Sequence, residues 1–195
     1  MRLFCAASVV AACLCLPYQT SAQEAPTDNA EIAALYAADQ AVRVNIDPAK
    51  YRDRAFVEQM FADDAARRER TRALLDAGAL QTGEDYRAAA FIFQHGSTPD
   101  DYLLAHVLAV AGAAKGSSGA AWIAAASLDR YLQSIDRKQI YGTQTRLTNG
   151  SEPTLEPYDR ALLPDALRTA VNVPTLAEQE VRLENAKASL APARP

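Results

Sequence analysis

Apolar residues recur at spacings of three and four along most of the chain, which predicts helices rather than strands. The start and stop signals divide that pattern into segments. A first helix is predicted over Asn29 to Arg43, with Asp28 as its cap and Glu31 three residues on. After Asn45-Ile46-Asp47-Pro48, a longer helix runs from Arg52 to Ala77 and stops at Gly78. Thr82 and Asp85 open a third, which ends at His95-Gly96. Thr98-Pro99-Asp100-Asp101 is a cap, a proline in the first turn and two acids, and opens a helix to Lys115. Ser117 or Ser118 caps a fifth helix to Ile135. From Gln139 to Pro157 the texture changes to Thr, Tyr, Gly and Pro, with the turn dipeptide Asn149-Gly150. Two last helices are predicted over Pro164 to Val171 and from Thr175, the latter with a Thr175/Glu178 capping box. These elements predict an all-α fold, a small helical-hairpin bundle of about six to seven helices. One irregular loop or small hairpin near residues 139–157 interrupts it.

Polar residues are written into the apolar stripes. The predicted inward face of the first helix reads Ile32, Tyr36, Asp39, Arg43, and Asp39 and Arg43 are themselves an i,i+4 pair. The fourth helix reads Leu103, His106, Val110, Ala113, and the fifth reads Trp122, Ala125 or Ala126, Asp129, Leu132. On the third, His95 follows Phe91 and stands beside Gln94. A buried polar group left unpaired costs about 1–3 kcal/mol, so such a set is expected to pair internally or with a ligand. Counting outward from the turn at Gly116 and Ser117 puts His106 opposite Ser127, with Asp129 about 3 Å further along the axis. A His106–Asp129 contact is therefore expected. His95 falls about 10 Å from His106, too far for the two to share one metal.

Composition narrows the setting. Arg2, the apolar run Leu3 to Leu16, Pro17 and the small residues Thr20-Ser21-Ala22 follow the order of a secretory signal peptide. Cleavage near Ala22 is expected to give an exported protein, periplasmic or secreted, with residues 23–195 as one helical domain whose core is about 29–190. A lipoprotein cleavage that leaves Cys13 lipidated is the lesser alternative. Cys5, Cys13 and Cys15 are the only cysteines, so the mature domain has no disulfide, thiol nucleophile or thiolate ligand. No later segment is apolar enough to span a membrane. The formal charge of −4 becomes −5 without Arg2 and gives no sign of nucleic-acid binding. The basic run Arg67, Arg68, Arg70, Arg72 follows Asp63 and Asp64 at helical spacing and reads as a solvated face.

Several short motifs stand in order along the chain: Asp39-Gln40 with Arg43, Gln94-His95-Gly96, His106, Asp129-Arg130, Gln139, and Tyr141-Gly142-Thr143-Gln144. In combination and order they resemble the motifs of a bacterial domain family of unknown function, over about Ile32 to Pro174. The resemblance implies a shared polar site and names no reaction.

Three functional readings follow. The first is a hydrolase or transferase, with His95 or His106 as general base, Asp129 orienting the imidazole, and Arg130 and Arg43 holding an anionic group. Imidazole exchanges protons near neutrality, which suits that role. No nucleophile is evident, so water must be activated, and one His with carboxylates could hold a metal for this. The second is a binding module for a small polar ligand or peptide end, with the neutral groups Gln94, Gln139, Tyr141 and Gln144 suited to recognition and Asp39, Gln40 and Arg43 as further candidate binding residues. The third is a polar core that only specifies the fold. No cofactor is named by the sequence.

Overall fold

The computed structural model describes residues 25–44, 46–147 and 152–190. The signal-peptide pattern Met1–Ala22 and the Asn149-Gly150 turn lie outside the described residues. Within them the fold is all-α, with seven helices: α1 (Ala30–Ala41), α2 (Arg54–Asp76), α3 (Gly83–Gln94), α4 (Pro99–Ala114), α5 (Ala120–Ser134), α6 (Asp165–Ala170) and α7 (Leu176–Leu190). None is long and apolar enough to cross a membrane.

Local chemistry accounts for most boundaries. Thr82 with Asp85, and Thr98 with Asp101, form complete capping boxes at the starts of α3 and α4. The α1 cap is Asn29, one residue later than expected, and its side chain accepts from the amides of Glu31 and Ile32. A 3-10 turn, Pro48–Arg52, precedes α2, whose cap is Asp53. Gly119 starts α5 without a side-chain cap. Ser117, one of the two expected caps, instead donates to Glu84 on α3 at 2.6 Å.

Asp85 also ties distant segments together. Its carboxylate accepts from the amides of Asn29, Gln81 and Thr82, so the first turns of α1 and α3 are fixed to one side chain. Burial acts to raise its pKa, but these backbone donors and Thr82 outweigh that and hold it below the ordinary aspartate value.

The core centres on α3, which packs against α1, α2, α4 and α5. Its buried residues include Ala88, Ala89, Ile92 and Phe93, facing Ile32, Leu74, Leu108, Ala109 and Ile123. Small residues let α3 and α4 approach closely. A Cβ on Gly83 would lie 3.0 Å from the Gly112 carbonyl, and one on Gly112 would lie 3.0 Å from that of Gly83. This explains a difference from expectation on α4. The face turned inward is Ala105, Leu108, Ala109 and Gly112, while Leu103, Val107 and Val110 are 39%, 55% and 50% exposed. Small residues pack at the closest approach, so the larger apolar residues mark the outer face. Trp122 on α5 is likewise half-exposed.

Between α5 and α6 the chain is irregular, held by a parallel bridge, Gln139 to Tyr158, and an antiparallel one, Arg146 to Thr154. A second, small apolar cluster of Leu155, Tyr158 and Leu183 seats α7 against this loop.

Candidate functional site

The expected stripe on α1 is present, and its lower end carries the chemistry. Asp39 is 1% exposed and sits beside the C-terminus of α3. His95, the residue that ends α3, places Nδ1 2.9 and 3.0 Å from the two Asp39 oxygens. Gln40 donates to the same carboxylate at 2.8 Å. Arg43 donates to the Asp39 carbonyl at 2.7 Å and to its carboxylate at 3.1 Å. Its other terminal nitrogen reaches Asp64 on α2 at 2.5 Å, and Arg67 donates to Asp64 at 2.6 Å. Two aspartates and two arginines thus cancel in charge beneath the His95 ring.

A carboxylate can only accept, so the neutral His95 ring carries its proton on Nδ1 and a lone pair on Nε2. Nε2 has no partner among the described residues and is not sealed from solvent; the side chain is 19% exposed.

Cationic groups surround the same helix end. Arg68 donates to the His95 carbonyl and Arg130 to that of Gln94, each at 2.9 Å, in keeping with the negative end of a helix. Tyr102 donates to the Gly96 carbonyl and lies under the Arg130 guanidinium, 5.8 Å from ring centre to carbon. Arg130 also donates through Nε to Gln144 at 3.0 Å. Its Nη2 has no hydrogen bond, and no carboxylate lies within 4.0 Å of the guanidinium among the described residues. Burial holds the Arg130 pKa below the ordinary arginine value; the positive charge of Arg43 adds to this against the Tyr102 phenol.

No protein-family model, curated protein or solved structure matches the chain. The reading of the site therefore rests on its own geometry.

That geometry divides the expected site residues into three sets. Asp39, Gln40, Arg43, Gln94, His95, Arg130 and Gln144 gather at the end of α3, where Asp39, Gln40, Arg43 and His95 are bonded together and Arg130 separately joins Gln144 to the Gln94 carbonyl. Asp129 and Gln139 belong to the loop. Asp129 is fully buried and accepts from the amides of Ile140, Tyr141 and Thr143 and from the Thr143 hydroxyl, at 2.7, 3.0, 2.9 and 2.8 Å. Gln139 donates to the carbonyls of Gln144 and Leu155 and accepts from the Gln144 amide. His106 stands apart: its Nδ1 is 2.9 Å from the Ala124 carbonyl. The expected His106–Asp129 pair is not made. Asp129 has spent both oxygens on the loop, and the nearest acceptor for His106 is a backbone carbonyl of α5. Tyr141 lines a separate groove with His106.

The solvated-face reading of Arg67 and Arg68 is also corrected. Asp64 and Arg67 are 3% and 9% exposed, because Asp39 and Arg43 from α1 lie over them. A signal was present in the sequence, since Asp64, Arg67, Thr71 and Leu74 form one helical stripe ending in a core leucine. Tyr102 carried no such signal. Among the described residues no cluster of three or more His, Asp or Glu side chains could hold a metal.

Proposed function

We propose that the end of α3 is a general-base site acting on a small anionic substrate, and that the protein is a hydrolase or transferase. The observation that carries this is the His95–Asp39 pair. A buried carboxylate fixes the ring by Nδ1, and Nε2 remains accessible as a lone-pair acceptor. In the proposed step Nε2 takes a proton from water or an acceptor hydroxyl. The oxygen so freed adds to an electrophilic carbon or phosphorus, and the proton passes on to the leaving group. Asp39 stabilises the imidazolium formed on the way. Arg130, whose charge and Nη2 have no partner among the described residues, stands beside the Gln94 carbonyl and holds the anionic part of the substrate. Arg43 is committed to Asp39 and Asp64 and serves the frame. The amides proposed for a binding module do not favour that reading, since Gln139 is spent on the loop and the Gln144 side chain on Ala126 and Arg130 of α5 and on Thr143. The same proposal places the site in an exported protein, on the signal-peptide pattern of Met1–Ala22.

The test pairs binding with turnover. Inorganic phosphate or acetate should raise the melting temperature of the wild type and leave Arg130→Leu unmoved. Hydrolysis across a panel of nitrophenyl phosphates and esters should fall about 100-fold or more in His95→Gln. Anion stabilisation that survives Arg130→Leu, or turnover that survives His95→Gln, overturns the assignment. Anion binding without turnover of any ester reduces the site to a binder.

A further inference from the structure

A second cavity lies away from the His95 site and uses none of its residues. It is a groove of about 250 Å³ between α4 and α5, lined by His106, Val110, Ala113, Ala121, Ala124 and Ala125, with Tyr141 and Val171 at its border. Four alanines make the room, and the apolar outer face of α4 runs on from it through Val107 and Leu103.

The lining carries no charged side chain and two side-chain hydrogen-bonding groups. His106 has its Nδ1 2.9 Å from the Ala124 carbonyl. A carbonyl only accepts, so the neutral ring is protonated on Nδ1 and Nε2 is an acceptor. Nε2 has no partner among the described residues and is not sealed. The Tyr141 hydroxyl is likewise free, although the backbone of Tyr141 is pinned by Asp129 and by Tyr158. An acceptor and a donor on an otherwise apolar, uncharged groove define a complementary ligand. That ligand has an apolar body to bury against the alanines and one hydroxyl, which donates to Nε2 and accepts from the phenol.

We propose that the His106–Tyr141 groove binds a neutral, compact apolar molecule bearing a hydroxyl group, of the aryl or cyclic aliphatic alcohol class. The helix-locked tautomer of His106 selects the hydroxyl over the bare hydrocarbon. The absence of a cation on the lining selects the alcohol over a carboxylate. This inference stands apart from the His95 reading, since neither needs the other's residues.

Benzyl alcohol, toluene and benzoate are the probes, titrated into the purified protein and followed by proton NMR of the two histidine rings. Benzyl alcohol should shift the His106 resonances saturably, at a dissociation constant on the order of 1 mM for so small a ligand, and leave His95 in place. Toluene should bind at least five-fold more weakly and benzoate more weakly still. Ala121→Leu should fill the groove and weaken benzyl alcohol about ten-fold or more, and His106→Phe should erase its preference over toluene, read there by fluorine NMR of fluorinated analogues. No saturable His106 shift, equal binding of toluene, tighter binding of benzoate, or an equal shift of His95 would each overturn the proposal. Circular dichroism of both variants confirms that any loss is not unfolding.

Discussion

Replacing Asp129 by Asn keeps the shape of the side chain and removes its charge and one acceptor. In the native arrangement Oδ1 takes the amides of Ile140 and Tyr141, and Oδ2 takes the amide and hydroxyl of Thr143. The cheaper orientation of the new side chain keeps its oxygen at the Oδ1 position, because only the Thr143 hydroxyl can rotate and turn acceptor. Two charge-assisted bonds then become neutral ones, at about 1 kcal/mol each, and the Thr143 amide is left facing an amide donor, at about 1–3 kcal/mol. The sum is about 3–5 kcal/mol. At about 2–4 °C per kcal/mol for a domain of this size, the melting temperature should fall by roughly 6–20 °C. Thermal and urea unfolding give the stability, and amide hydrogen exchange gives its location. The amides of Ile140, Tyr141 and Thr143 should lose protection beyond the global change. A melting point within about 2 °C of wild type, or unchanged exchange at these amides, would refute the view that Asp129 holds the loop.

Three other outcomes are expected. Asp39→Asn should disturb the His95 tautomer, read by nitrogen-15 NMR, and leave His106 on its Nδ1–H form, because only His95 is bonded to Asp39. Gly142→Ala should destabilise by about 2–4 kcal/mol in urea unfolding: φ is +79°, and the new Cβ would run into the Tyr158 ring and the Gln179 side-chain oxygen. On acidification the protein should lose stability through Glu84 and Asp85, both held below their ordinary values of 4.5 and 3.8. The Ser117 hydroxyl and Arg87 lower Glu84; for Asp85, burial opposes the shift and the backbone donors outweigh it. A depressed folded pKa means that the contribution is complete above those values and disappears as pH falls through the folded ones. Urea midpoints measured from pH 6 downward should fall, and Asp85→Asn should flatten the slope.

The helices were legible because their ends are chemical. Thr82, Thr98 and Thr175 each stand three residues before an acid, and all three capping pairs form. Which face of each helix turns inward was legible only where residue sizes contrast. On α1, Ile32 and Asp39 are set among exposed alanines, and the stripe is as expected. On α4 alanine and glycine form the packed face, so reading large residues as buried misplaced Leu103 and Val110, while His106 stands half-buried at the edge of that face. That error carried into the pairing, since a height match along a hairpin says nothing of azimuth, and Asp129 points to the loop while His106 points to the α5 backbone.

The polar residues themselves were found by their cost. Most of the expected polar groups have a partner in the structure, the buried Gln94 Oε1 being an exception, and the partners lie across helices at separations such as Asp39 to His95 or the Gln94 amide to the Ala126 carbonyl, which no local spacing reveals. Asp64 and Arg67 were missed for the opposite reason: a local pair three apart looks complete, so nothing signals that α1 will cover it. Covering it is what gives the site its form. The Arg43–Asp64–Arg67 chain neutralises the ground beneath Asp39 and leaves that carboxylate free to orient one imidazole. Breaking the chain at Asp64 would take from the buried Arg67 its close carboxylate, leave Arg43 with Asp39 alone, and weaken the frame before it touched His95.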